Sequence, residues 1–178
     1  MVLVLISVSL LGCHAVGTAG RHDAQTRQPV CSVYFSPKGG CTERVVESLG
    51  KARNTIRVQA YSFTSQPIAQ ALLDAHQRGV NVEVILDKSQ RSERHCPADT
   101  LVKADVPVEI DAAHAIAHNK VMVIDEQTVL TGSFNFTEAA EDRNAENLLV
   151  IQDSTVAAQY EANWRVHRQH SKPYLAAR

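Results

Sequence analysis

Short apolar runs alternate along the chain with segments whose apolar residues recur at helical spacing. The runs are typical of buried strands, and the helical spacing is typical of helices that pack one face on a sheet. The predicted strands are 30–35, 55–61, 80–86, 106–110, 118–124, 128–133 and 146–151. The predicted helices are 42–53, 65–79, 98–103 and a final helix that Asp153 caps. This order predicts a single α/β domain with a mixed β-sheet flanked by helices on both faces.

The segments 118–124 and 128–133 are separated by three polar residues, which predicts a β-hairpin. Side chains alternate along a strand, so His118 and Lys120 are expected on one face and Asp125 on the other. Asp125 is therefore expected to fix the turn or to pair with a neighbouring charge.

The residues around this hairpin suit phosphodiester chemistry. His118 and Lys120 precede Ser133 and Asn135, which share a face if the chain stays extended there. A neutral imidazole can attack phosphorus, an ammonium can hold phosphoryl oxygens, and hydroxyl and amide groups can donate hydrogen bonds to them. We therefore predict that these four side chains converge on a phosphate.

Two alternatives remain open for this group. The first is a purely structural His and Lys, although burying an unpaired ammonium is costly. The second is a metal site, since His114 and His118 are four apart with Asp111 nearby. Lys120 would place a positive charge beside such a cation, and no second His, Cys or carboxylate cluster shows ligand spacing. We expect no metal and no cofactor.

The order H-x-K-x-x-x-x-D from His118 to Asp125, followed by G-S-x-N at 132–135, resembles the phospholipase D superfamily. The match runs from about Cys31 to Trp164. Further segments resemble the small secreted bacterial endonucleases of that superfamily: 33–37, 60–65, 132–137 and 144–147. Those members carry one motif copy and form a symmetric dimer, and this chain also carries one copy.

The resemblance implies a role for each candidate residue. His118 would form a covalent phosphohistidine, and His118 of a second subunit would protonate the leaving oxygen. Glu146, on a neighbouring predicted strand, matches the carboxylate that orients the imidazole in the small nucleases. The implied catalytic set is His118, Lys120, Asp125 and Glu146, and the implied phosphate-binding set is Lys120, Ser133 and Asn135.

Charge and length limit the substrate only weakly. The chain has 178 residues and a formal net charge of -1, so it lacks the basic signature of a stable DNA-binding module. Its basic residues are scattered, a pattern typical of a solvated surface. The polar loop at 87–97 is long enough to be a candidate substrate-contacting element. Nucleic acid remains the expected substrate, phospholipid headgroups are the alternative, and a non-catalytic phosphate-binding envelope protein is a third possibility.

The N-terminal sequence is typical of a targeting segment. Residues 2–11 form an apolar run too short to span a bilayer, although no basic residue precedes Arg21. Residues 1–19 are interpreted as a signal peptide or lipoprotein leader, 20–29 as a flexible linker and 30–170 as the phosphodiesterase domain. The protein is therefore expected to be exported, and to be periplasmic or secreted. Cys13 ends a lipobox-like sequence, so a lipid anchor attached to Cys13 is one possible outcome of processing.

Three further cysteines remain in the predicted domain. A disulfide between Cys41 and Cys96 is one possibility, because Cys31 is expected to begin a central strand. Three free thiols are the other.

Overall fold

A computed structural model describes residues 30–175. Its strands are β1 Val30–Ser36, β2 Thr55–Ala60, β3 Asn81–Asp87, β4 Val108–Asp111, β5 Lys120–Ile124, β6 Thr128–Gly132, β7 Glu146–Gln152 and β8 Lys172–Pro173. Its α-helices are α1 Cys41–Lys51, α2 Gln66–Gln77, α3 Ala98–Lys103, α4 Glu138–Asp142 and α5 Ser154–His170. A short 3-10 helix covers Lys88–Arg91. The predicted leader 1–19, with Cys13, and the linker 20–29 lie outside the described residues.

The strands form one mixed sheet in the order β1-β7-β6-β5-β2-β3-β4-β8. The β2–β3 and β3–β4 pairs are parallel, and the other pairs are antiparallel. One end of the sheet therefore holds the last residues of five strands and the first residues of β5 and β7. The strands that finish there are β1, β2, β3, β4 and β6. We call it the His118 end, because the chain enters β5 there.

Helices cover both faces of the sheet. Apolar side chains of α1, α2 and α3 share one core with the strands: Val45, Leu49, Ile68, Leu72 and Leu101. On the opposite face, Ala157 of α5 packs with Val121, Val123 and Val129. The predicted α/β class, with a mixed sheet between two helical layers, is confirmed.

The C-terminal helix α5 is fixed by a buried tryptophan. The indole of Trp164 donates a hydrogen bond to the Val58 carbonyl oxygen at 3.0 Å. The guanidinium groups of Arg57 and Arg168 lie 5.5 and 5.6 Å from its ring. The Arg57 side chain is only 11% exposed and pairs with Glu83 at 3.3 Å. The prediction that the basic residues form a solvated surface is therefore wrong for Arg57, because an ion pair and the indole compensate its burial.

The cysteines differ from expectation. Cys31 is exposed because it lies on β1, an edge strand rather than a central one. Cys41 begins α1 and Cys96 precedes α3, and both thiols are free, so of the two alternatives the structure has the free thiols and not the Cys41–Cys96 disulfide. Burial raises the pKa of each of these two thiols to about 11, which leaves them protonated and unreactive.

The segment 87–97, predicted to be a polar loop, contains a short helix and a buried side chain. The Asp87 carboxylate accepts a hydrogen bond from the Ser89 amide at 2.8 Å and starts the 3-10 helix. Within that helix Gln90 is buried, and its side-chain oxygen accepts from the Phe63 amide at 3.0 Å. Much of this segment therefore supports the fold. None of the described helices is both long enough and apolar enough to cross a membrane.

Candidate active site

His118 lies just before β5 rather than within it, so the prediction that it begins the strand is wrong. Two hydrogen bonds hold the approach to the strand in place. The Tyr61 amide donates to the Asn119 carbonyl oxygen at 2.8 Å, and the Ala117 amide donates to the Asp87 carboxylate at 2.7 Å. His118 is thus carried on a short segment fixed to the ends of β2 and β3.

The His118 imidazole is exposed and rests against the ring of Tyr61, with 4.6 Å between the ring centroids. Within residues 30–175, neither of its ring nitrogens takes part in a hydrogen bond. An imidazole with a free nitrogen lone pair is the form that can attack phosphorus.

Lys120 is buried beside it, with only 6% of the residue exposed. Its ammonium donates a hydrogen bond to the His118 carbonyl oxygen at 3.0 Å and lies 5.0 Å from the Tyr61 ring centroid. Burial lowers the pKa of Lys120, and the negative charge of Glu146 partly opposes that shift. A desolvated ammonium interacts more strongly with a phosphoryl oxygen than one in water does.

Ser133 and Asn135 follow the end of β6, and the intervening Phe134 is buried. Gly132 makes this path possible: its φ is 148°, and a Cβ there would lie 2.3 Å from the Asn147 carbonyl oxygen. The Ser133 hydroxyl oxygen accepts from the backbone and side-chain amides of Asn147 at 3.0 and 3.2 Å. Its own O–H therefore remains available to donate to a phosphate.

Asn135 is partly buried, and its side-chain oxygen has no hydrogen-bond partner among the described residues. A buried amide oxygen without a partner is costly unless a ligand or water completes it. That oxygen can only accept a hydrogen bond, so the part of Asn135 that could contact a phosphoryl oxygen is its side-chain N–H group, which makes no hydrogen bond among the described residues.

Asp125 lies at the opposite end of the sheet, because it follows β5 whereas His118 precedes it. Its carboxylate accepts hydrogen bonds from the amides of Arg53, Asn54 and Thr55 at 2.8, 2.7 and 2.9 Å. Asp125 thus fixes the hairpin turn to the start of β2, as strand alternation predicts. Its place in the implied catalytic set is not supported by contact with the other members.

Glu146 is the first residue of β7 and lies opposite Ser36. Its carboxylate accepts a hydrogen bond from the Asn144 side chain at 3.3 Å. Within the described chain no hydrogen bond joins it to His118, although its charge acts on Lys120. Its role in orienting an imidazole therefore stays a prediction.

The structure also assembles a second group of side chains that the sequence did not reveal. Asp111, His114, His167 and His170 offer ligand atoms that all lie within 4.8 Å of one another. The expectation that no second cluster could ligate a metal is therefore wrong, and His114 groups with these residues rather than with His118. The H-x-x-H spacing in the final helix was the available signal, because residues three apart share a helix face.

At the His118 end, a free imidazole, a buried ammonium and exposed hydroxyl and amide groups are gathered where strands end. Groups of these kinds are suited to the chemistry of phosphate esters. A model of the family described as "Cardiolipin synthase, PLD-like domain" matches residues 45–167. The chain belongs to the phospholipase D superfamily, and it is a phosphodiesterase of that superfamily.

Individual relatives agree with this assignment. The chain is 39% identical to a phospholipase D of Rickettsia conorii over 160 residues, covering 90% of this chain and 80% of the relative. It is 31% identical to a mitochondrial cardiolipin hydrolase of Xenopus laevis, covering 74% of this chain and 62% of that protein. The fold is similar to the crystal structure of Nuc, a phospholipase D family member from Salmonella typhimurium. That match has a TM-score of 0.80 at 34% identity and covers 84% of this chain and 100% of Nuc.

Proposed function

We propose that this protein is a metal-independent endonuclease that hydrolyses DNA or RNA through a covalent phosphohistidine. The observation that carries the proposal is the pairing of an exposed imidazole at His118 with the buried ammonium of Lys120. The nucleophile is exposed at the surface, where the phosphodiester backbone of a polymer can reach it. The similarity in fold also extends over the whole of Nuc, a phospholipase D family member.

In the proposed reaction, the free nitrogen of His118 attacks phosphorus and the P–O bond to the leaving group breaks. A second imidazole donates its proton to the departing oxygen. That imidazole then removes a proton from water, whose oxygen attacks phosphorus and releases His118. Lys120, Ser133 and Asn135 stabilise the charge on the non-bridging oxygens through both steps.

We propose that the second imidazole comes from another copy of the chain, since this sequence holds one H-x-K-x-x-x-x-D motif. We propose a two-fold homodimer with both His118 side chains at the interface. Two large apolar side chains at the His118 end favour a covered surface there: Phe35 is 66% exposed and Ile116 is 55% exposed. Burying them in a dimer would remove apolar area from water.

Phospholipid is the second candidate substrate. The same two exposed apolar residues could rest on a lipid surface, and the Rickettsia relative is named phospholipase D. The scissile group is a phosphodiester in either case, so the residues that cleave it would be the same. We also propose, on the sequence pattern alone, that the protein is exported. Its leader at 1–19 would either be cleaved as a signal peptide or be processed so that Cys13 carries a lipid anchor.

The discriminating experiment uses the full chain in EDTA with three substrates: supercoiled plasmid, single-stranded RNA and phosphatidylcholine vesicles. We expect nicked plasmid or cut RNA, and no choline release above that of the His118→Ala variant. Choline release at a higher rate than strand cleavage would replace the endonuclease proposal with the lipid one.

A quench at short times should trap a phosphoryl group on the protein that is labile to acid and stable to base, as phosphohistidine is. Mixing the inactive His118→Ala chain with wild type should lower activity below the wild-type fraction, because mixed dimers lack one imidazole. Activity proportional to wild-type chains, in a protein that sediments as a monomer, would contradict the shared site.

A further inference from the structure

A compact group of metal-ligating side chains lies where β4 ends and α5 ends. Its members are Asp111, His114, His167 and His170, called here the Asp111 cluster. Asp111 is the last residue of β4, His114 follows in the next turn, and the two other histidines lie in the last turns of α5. Two distant stretches of the chain, 111–114 and 167–170, thus meet at one carboxylate.

The carboxylate at the centre is fully buried, and one of its oxygens is crowded. Asp111 has 0% exposure. The nitrogens of His167, His114 and His170 lie 2.7, 3.1 and 3.2 Å from its Oδ2 atom. One carboxylate oxygen has two lone pairs, so three imidazole N–H groups cannot all be well aligned with it.

His170 shows the consequence of this crowding. Its Nε2 atom is buried and has no aligned hydrogen-bond partner among the described residues. An unsatisfied buried nitrogen is costly if it carries a proton that has no acceptor. If that nitrogen is instead a deprotonated donor to a cation, the same position is favourable, and the crowding around Oδ2 is relieved.

The separations are close to those of a tetrahedral site. Zinc bonds to histidine nitrogen and carboxylate oxygen at about 2.0–2.2 Å, which places ligand atoms roughly 3.3–3.5 Å apart. The His114 and His170 contacts with Oδ2, at 3.1 and 3.2 Å, are already near that value. All four ligand atoms lie within 4.8 Å of one another, so the wider separations have to shorten. His114 is the most exposed of the four side chains, at 47%, and is therefore the freest to move.

The surroundings also orient the central ligand. The other oxygen of Asp111 accepts a hydrogen bond from the Ala113 amide at 3.0 Å, which leaves Oδ2 turned towards the imidazoles. This hydrogen bond fixes the orientation of the carboxylate, as the partners of a metal ligand commonly do.

We propose that the Asp111 cluster is a structural binding site for a divalent transition metal, with zinc the best match. Three imidazoles and one carboxylate form a closed four-ligand set of the kind that holds zinc without an open position for chemistry. The metal would join β4 and α5 to the segment that leads into His118. That segment is already held by Lys88, whose ammonium donates to the His114 carbonyl oxygen at 3.0 Å.

The test uses untagged full-length protein, stripped with chelator and then titrated with zinc or cobalt. We expect one tightly bound zinc per chain, a zinc-dependent rise in melting temperature, and the intense visible absorption of tetrahedral cobalt. The His167→Gln variant should lose at least tenfold in zinc affinity together with the cobalt spectrum. The matched control is His76→Gln, which removes a histidine of α2 outside the cluster and should bind like wild type.

His114→Gln provides a second variant in case His167→Gln fails to fold, because its exposed side chain is less important for packing. Stoichiometric zinc binding that survives both cluster variants would place the metal elsewhere and overturn the proposal. Failure of wild-type protein to bind zinc or cobalt tighter than His167→Gln would also overturn it. Neither result bears on phosphodiester cleavage, which is measured separately.

Discussion

His118 and the Asp111 cluster are two arrangements of histidine near the same end of one sheet, and they differ in what is left free. His118 is exposed, packs against Tyr61, and has no hydrogen bond to either ring nitrogen within residues 30–175. In the cluster, three imidazoles direct one nitrogen each at the buried Asp111. A nucleophile needs an available lone pair, whereas a ligand or structural imidazole has its nitrogen committed.

This contrast explains why the number of histidines is a poor guide to the active site. The cluster has more titratable groups, and each of its imidazoles has one nitrogen within 3.2 Å of the Asp111 carboxylate. His118 has few contacts but lies next to a buried ammonium. Substitutions at His118 should therefore affect rate and leave stability unchanged, and substitutions in the cluster should do the reverse.

The largest expected effect is that of His118→Ala. In a dimer this change removes both the nucleophile and the acid, so turnover should fall by about 10⁴-fold or more. The melting temperature should stay near that of wild type, because the side chain is exposed. Steady-state kinetics and a thermal melt check this; a well-folded variant with substantial turnover would remove His118 as the nucleophile.

Lys120→Ala should be the next most severe. Loss of a contact that stabilises transition-state charge is typically worth about 3 kcal/mol, or roughly a hundredfold in rate. The matched control is Lys51→Ala, because Lys51 pairs with Glu47 in the last turns of α1, at the opposite end of the sheet from His118. Equal loss of kcat in the two variants would show that the effect is not specific to Lys120.

The rate should have a bell-shaped dependence on pH. One imidazole must be neutral to attack and the other protonated to donate, so the pair has to hold one proton. On each limb the rate should fall about tenfold per pH unit. Single-turnover rates of wild type across pH check this, and a plateau that continues to alkaline pH would argue against an imidazole as the acid.

Asp125→Ala should lower stability while leaving the chemical step nearly unchanged. Its carboxylate accepts three backbone hydrogen bonds far from His118, and losing them should cost roughly 1–3 kcal/mol in the free energy of unfolding. Urea unfolding measures that cost, with Glu126→Ala in the same turn as control. A large fall in kcat with unchanged stability would instead place Asp125 in the reaction.

The smallest effect on rate is expected for His167→Gln. Its imidazole contacts Asp111 rather than substrate, so kcat measured well below the melting temperature should change by no more than a few-fold. The melting temperature should fall, and zinc should no longer raise it. A loss of kcat as large as that of His118→Ala would mean that the two histidine arrangements act as one site.

The spacing of apolar and polar residues along the sequence was enough to predict most of the helices and strands. The motif that contains His118 and Lys120 could also be found from the sequence. The strands and long helices follow from apolar spacing, and α3 spans residues 98–103 as predicted. The position of Asp125 at the turn followed from strand alternation. These features depend on neighbours within a few residues, which is the range over which periodicity and turn chemistry act.

Only the tertiary structure decided which distant residues meet. The order of the strands placed β1 at an edge and so exposed Cys31. The contact between His167 and Asp111 joins residues 56 positions apart, through a helix that crosses back over the sheet. A sequence encodes the apolar face of each element locally, but the partner of a polar side chain depends on how those faces pack. The motif could therefore be found in the sequence, whereas the Asp111 cluster required the fold.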